Sequence, residues 1–156
     1  MRRLDGLKFK GFVTTPLGYK EEDMYHRVLY VRRPSLVGLG DVVHGPGRSK
    51  VLLMEYPNEA EWYVNFRVAY VNAEYTWERT VKYLDPVARV ERDFQNTPMG
   101  TIYAYLDKPK DTKIGTMHDT RYSFYTGSAV IEGDLIGGKI VKKVIGSMGV
   151  NLVYVE

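Results

Sequence analysis

Outward and inward residues alternate in run after run of this chain, and that limits what it can fold into. In WYVNFRVAYV, Val64, Phe66, Val68 and Tyr70 point one way while Asn65, Arg67, Ala69 and Val71 point the other. A period of two is the signature of a half-buried strand. In EYTWERTVKYL, Tyr75, Trp77, Val81 and Tyr83 share a face, with Thr76, Glu78, Thr80 and Lys82 opposite. Trp77, Val81 and Leu84 also fit a helical spacing, but the β-branched and aromatic content favours strand. The two runs read as one long hairpin closed near Asn72-Ala73-Glu74.

Further strands are expected at Met24–Val31, Lys50–Glu55, Val87–Phe94, Thr101–Leu106, Tyr122–Tyr125, Lys139–Ile145 and Val150–Val155. Turn residues separate them: Asp5-Gly6, Gly45-Pro46-Gly47, Tyr56-Pro57-Asn58, Asn96-Thr97-Pro98 and Gly137-Gly138,. Asn58-Glu59-Ala60-Glu61 suits one helical turn, because asparagine caps well and acids favour a first turn. Little helix is expected elsewhere. Many short strands with frequent turns point to a mainly β fold, an antiparallel small barrel or sandwich with long loops. Residues 1–156 are expected to form a single β domain, with 1–10 as an N-terminal arm and 107–120 as a long loop,.

One internal echo stands out. Ser35–Val43 and Ser128–Ile136 share S-x-V-x-x-G-D followed by two apolar residues. Two accounts remain open: a duplicated half, or two similar turns feeding two similar strands.

Composition excludes several classes. There are no cysteines, which removes disulfides, thiolate catalysis and Cys-ligated zinc together,. A net charge of +3 does not argue for a dedicated nucleic-acid binder,. No stretch approaches the ~18 apolar residues of a membrane span. The start, MRRLDGLKFKGFV, has a basic flank, but Lys8 and Lys10 interrupt what would be the apolar core of a signal peptide,. No membrane partner is expected, and the chain reads as one assembled in the cytoplasm. The 13 tyrosines suit half-buried sheet faces and protein interfaces, since each joins an apolar ring to a polar tip,.

No catalytic or metal constellation emerges. His26, His44 and His118 lie far apart, without a second ligand at helix or hairpin spacing,. Ser35, Ser49, Ser123, Ser128 and Ser147 include none in a G-x-S-x-G elbow,. Gly45-Pro46-Gly47-Arg48-Ser49-Lys50 departs from the phosphate-cradle spacing, and a strand follows it, so it reads as a hairpin tip carrying two cations,. IEGDLIGGKIVKKV reads as architecture: Gly133 takes a positive φ, Asp134 bonds nearby backbone amides, and Gly137-Gly138 makes a tight hairpin,. Neither a cofactor nor a metal is called for. A single-stranded nucleic-acid surface on Arg67, Tyr70, Trp77, Arg79 and Tyr83 is the main alternative, opposed by the nearby Glu74, Glu78 and Asp85,.

The run Glu132-Gly133-Asp134-Leu135-Ile136-Gly137-Gly138-Lys139-Ile140-Val141, closed by VNLVYVE, resembles the end of tailed-phage head-completion proteins. These are also called stopper, head-closure or head–tail connector proteins. Gly133, Asp134, Gly138 and Val141 are the matching positions; the Tyr/Trp-rich hairpin lies outside the pattern. The resemblance implies a non-enzymatic virion subunit, a homo-oligomeric β-barrel ring beneath the portal that meets portal or adaptor and tail proteins. Tail terminators and other neck components stay open beside it.

In such a ring the expected interface or lumen residues are Arg2, Arg3, Lys8, Arg48, Lys50, Lys108, Lys110 and Lys113, the last three facing packaged DNA or a partner's acids. Tyr70, Tyr75, Trp77 and Tyr83 are the expected interface aromatics. Gly133, Asp134, Gly137 and Gly138 are expected to be structural.

Overall fold

A computed structural model describes residues 1–14, 27–45, 47–59, 62–84, 87, 91–106 and 122–156, with backbone alone at 56–59, 82–84 and 91–95. The chain is all-β, with no helix among the described residues. In chain order the strands are β1 (Arg2–Arg3), β2 (Gly11–Thr14), β3 (Arg27–Arg32), β4 (Val42–His44), β5 (Lys50–Glu59) and β6 (Tyr63–Tyr70). Then come β7 (Ala73–Leu84), β8 (Glu91–Ala104), β9 (Tyr122–Thr126), β10 (Leu135–Ile136), β11 (Lys139–Ser147) and β12 (Val150–Val155).

They form two six-stranded antiparallel sheets, ordered β1-β4-β5-β6-β3-β2 and β8-β7-β10-β11-β12-β9. Each sheet curls until its ends meet. In the first, Arg2 pairs with His44 of β4 on one side and with Lys8, just ahead of β2, on the other. In the second, Tyr105 follows β8 directly and exchanges two 2.9 Å backbone bonds with Tyr125 of β9. Curling removes most of the open edge that a flat sheet would expose.

Once closed, the two rings have one circular order, each strand of the second matching the strand six places earlier. Register agrees as well. The Arg2↔Lys8 bridge answers to Thr76↔Thr101 on β7 and β8. Gly40 N–H donates to Leu53 C=O, and Leu53 N–H to Asp41 C=O; Gly133, Val141 and Asp134 repeat both bonds. The ladder slips between Leu53 and Glu55 in one barrel and between Val141 and Lys143 in the other. The S-x-V-x-x-G-D echo is therefore the same connection between matching strands, drawn twice.

Alternation builds two separate interiors. Leu29, Val31, Val51, Leu53, Phe66 and Val68 fill the first barrel; Ile102, Phe124, Ile136, Val141 and Val153 fill the second. Each such side chain contributes about 1.5–3 kcal/mol when taken from water. Leu52, Ala69 and Tyr105 form a third cluster where the barrels meet.

Several expectations are corrected. Residues 1–10 are no arm: β1 and the turn after it close the first barrel, with Gly6 N–H bonded to Arg3 C=O at 3.0 Å. The two runs flanking Asn72-Ala73-Glu74 do not pair with each other. β6 lies between β5 and β3, β7 between β8 and β10, and the chain crosses from barrel to barrel at Val71–Asn72. Asn58 and Glu59 begin no helical turn; they face Asn65 and Val64 within β5. Pro57 and Pro98 mark no turns either. Both fall at ladder irregularities inside long strands, where a missing N–H is tolerated,. The slip at Val141/Lys143 also breaks the simple alternation expected along Lys139–Ile145, leaving Lys142 and Lys143 both exposed. Gly137-Gly138 does form the tight turn between Ile136 and Lys139, with φ of 57° and 80°,. The loop expected at 107–120 lies outside the described residues.

Candidate interaction surfaces

Asp134 sits just past the positive-φ Gly133 and is 1 % exposed. Its carboxylate accepts the Trp77 indole N–H at 2.9 Å, two Arg79 bonds at 2.9 and 3.0 Å, and the Ile131 amide at 3.1 Å. Burial would raise this carboxyl, but Arg79, the Ile131 amide and Trp77 outweigh it and hold it below the usual range,. Arg79 also donates to Ala129 C=O at 3.2 Å, so one ion pair pins β7 to the β9–β10 connection. A recess of about 470 Å³ beside it is lined by Arg79, Thr80, Asn96 and Glu132.

The first barrel holds a looser counterpart. Asp41 accepts the Gly38 amide at 2.8 Å, as Asp134 accepts that of Ile131. Arg3 donates to Leu36 C=O at 3.0 Å, the carbonyl matching that of Ala129. Its guanidinium pairs with Asp5 instead of Asp41. The hydrogen bond from Arg3, with the Leu7 amide, lowers the Asp5 carboxyl to about 2. Arg3, Asp5, Asp41, Tyr103 and Ser128 line a recess of about 430 Å³ at the junction of the barrels. Chemically this is a set of paired charges and capped amides, with Asp5 ionised at neutral pH.

The junction depends on glycine. A Cβ on Gly127 would stand 1.7 Å from Gly40 O, and one on Gly149 would stand 2.8 Å from Leu39 O. This close approach lets Tyr105 and Tyr125, rings stacked 6.2 Å apart, cover Leu52 and Ala69. Lys50 adds a 2.8 Å bond to Glu74 and lies 5.3 Å from the Tyr103 ring.

The expected interface residues scatter. Arg2, Lys8 and Arg48 are exposed, whereas Arg3 and Lys50 are committed to contacts within the chain. Tyr70 is half-buried under Arg27, 5.3 Å from its ring. Tyr75 packs on the second core with Tyr122 and Phe124, and Trp77 is held by Asp134. Lys108, Lys110, Lys113 and the Tyr83 side chain lie outside the described residues. In the nucleic-acid alternative, Arg79 and Trp77 are tied to Asp134, and Arg67 lies 3.4 Å from Glu55.

Sequence reasoning missed the more accessible aromatics. Phe12, 49 % exposed, stacks on Tyr30 at 5.0 Å, and Tyr63 meets both edge-on. Trp62 beside them is 67 % exposed. The signal was present: Tyr30 alternates with the core residues Leu29 and Val31, so it has to face outward,. The second barrel exposes Ile131, Ile140, Ile145 and Met148.

Comparisons with protein-family models, with curated proteins and with solved structures find no match to this chain. Among the described residues no group of three or more His, Cys, Asp or Glu is placed to hold a metal ion. No helix among them is long and apolar enough to cross a membrane.

Proposed function

We propose that this chain is a structural subunit of a tailed-phage neck, part of a ring that joins the head to the tail and helps retain packaged DNA. One observation carries the reading. Each barrel exposes large apolar side chains: in one, Phe12 and Tyr63, packed with Tyr30 on a sheet face, and Trp62, which adjoins Tyr63 in the chain; in the other, Ile131, Ile140 and Ile145. A ring requires a pair of unlike surfaces on one subunit, because its contacts are heterologous. Scattered apolar residues are ordinary on a surface, whereas stacked, exposed aromatics on a sheet face suit an interface. The likeness of the Gly133-Asp134 to Val141 segment to head-completion proteins supports the neck in particular.

Negative-stain imaging of the purified protein, alone and mixed with portal and tail proteins, tests it. Rings, or monomers that assemble on the portal, are expected. Single particles that stay inert towards both components would overturn the reading.

A further inference from the structure

The repeat extends to the outward faces of the two barrels. Leu29 faces Phe66 as Phe124 faces Val153, so the next residues, Tyr30 and Tyr125, hold the same place. Phe12 lies opposite Tyr30 as Tyr105 lies opposite Tyr125. The stacked aromatic pair thus occurs twice, with interplanar angles of 11° and 22°.

Their surroundings differ. Tyr105 is 6 % exposed because the pair in the second barrel is seated on Leu52 of the first, itself fully buried. That seat also recurs. Leu52 faces Val42 as Ile140 faces Leu135, which makes Ile140 the counterpart of Leu52. Ile140 is 43 % exposed and Phe12 is 49 % exposed. Among the described residues each chain therefore contains one aromatic pair in its seat, one aromatic pair without a seat, and one seat without an aromatic pair.

We propose that a second copy of this chain joins them, with Phe12 and Tyr30 of one copy seated on Leu135 and Ile140 of the next. The contact repeats between chains the junction already made within each chain, and because its two sides are unlike it propagates head to tail. Charge favours this occupant. Where the inner junction has Leu39 and Ala69, the open seat has Glu132 and Glu156. Where the inner junction has Gly127 beside its aromatic pair, the exposed pair has Arg32. A cation on one side thus meets acids on the other, whereas a twofold pairing of two Phe12 faces would oppose arginines. Trp62 takes the place of Gly149, so backbones cannot approach as closely as they do inside the chain. The indole fills the wider gap.

This inference deepens the ring reading and rests on it only for self-association. Because the chain has no cysteine, single substitutions report contacts cleanly. Phe12→Cys and Ile140→Cys proteins, mixed and oxidised with copper phenanthroline, are expected to cross-link to each other. The yield should exceed by about tenfold that of either variant with an Arg48→Cys control, as a specific contact requires. In sedimentation experiments Phe12→Ala should weaken self-association of the unmodified chain at least about tenfold. Arg32→Glu should weaken it as well, and adding Glu132→Lys should restore it. A chain that stays monomeric at its highest soluble concentration would overturn the inference, as would Phe12→Cys linking only to itself. Rings seen without the Phe12–Ile140 cross-link would remove this contact and leave the neck reading standing. The cross-link in a protein inert towards portal and tail components would support the contact and remove the neck.

Discussion

Arg79 meets Asp134 through two parallel N–H···O bonds, of 2.9 and 3.0 Å, on a carboxylate that is only 1 % exposed. Two-point pairing fixes the direction of approach as well as the distance. It holds the long β7 against a turn contributed from more than fifty residues further along the chain.

Breaking this pair should be costly. Arg79→Ala leaves a buried carboxylate with only the Trp77 indole and one amide, and about 3 kcal/mol of stability should be lost. Urea unfolding measures it. In a double-mutant cycle with Asp134→Ala, the combined loss should be clearly less than the sum of the two single losses. A loss below about 0.5 kcal/mol would mark the pair as no stronger than a surface contact.

Acid should act through the same residue. The folded state holds Asp134 below its ordinary value of 3.8. The unfolded chain therefore takes up this proton first as pH falls. The stabilisation is complete above the ordinary value and is lost as pH drops through the lowered one. The urea midpoints of the unmodified chain and Asp134→Asn should differ most near neutrality and converge in acid.

Alkali should act through a tyrosine. Burial pushes the Tyr122 hydroxyl from 10.0 up to about 12, helped by the adjoining Tyr75. The folded state holds this proton after the unfolded chain has released it. Its contribution is present below pH 10 and disappears as pH rises towards 12,. Absorbance titration should show a late-ionising tyrosine that Tyr122→Phe removes.

Glycine substitutions should separate crowding from strain. Gly127→Ala places a Cβ 1.7 Å from Gly40 O, and a backbone atom cannot swing aside. A loss of about 3 kcal/mol is expected, with reduced hydrogen-exchange protection around Leu52 and Tyr105. Gly133→Ala meets nothing within 4 Å and pays only for its φ of +91°, about 1 kcal/mol,. Equal losses would mean that the junction tolerates a wider spacing.

Much of the sheet was legible because alternation reports burial directly: Leu29, Val31, Val64, Phe66 and Val68 all point inward. The Ser35 and Ser128 echo identified the connection that the barrels share. What misled was punctuation. Pro57 and Pro98 look like turns, but a ladder slip accommodates a residue without an N–H as readily as a chain reversal does,. The false hairpin at Asn72 has a different cause. Alternation shows that β6 and β7 have inward faces, yet says nothing about which interior each face enters. Leu52 and Ala69 decide that, by drawing Tyr105 onto the outside of the first barrel. The local amide bond of Asp134 was legible. Its Trp77 and Arg79 partners and the exposed stack of Phe12 on Tyr30 were hidden, since they depend on residues distant along the chain.

Tyr105 has two duties at once: its backbone fastens the last seam of the second barrel, and its ring roofs Leu52 of the first. Prising the halves apart thus loosens the clasp that keeps one of them shut. Two interiors that look independent should melt together, in one cooperative step.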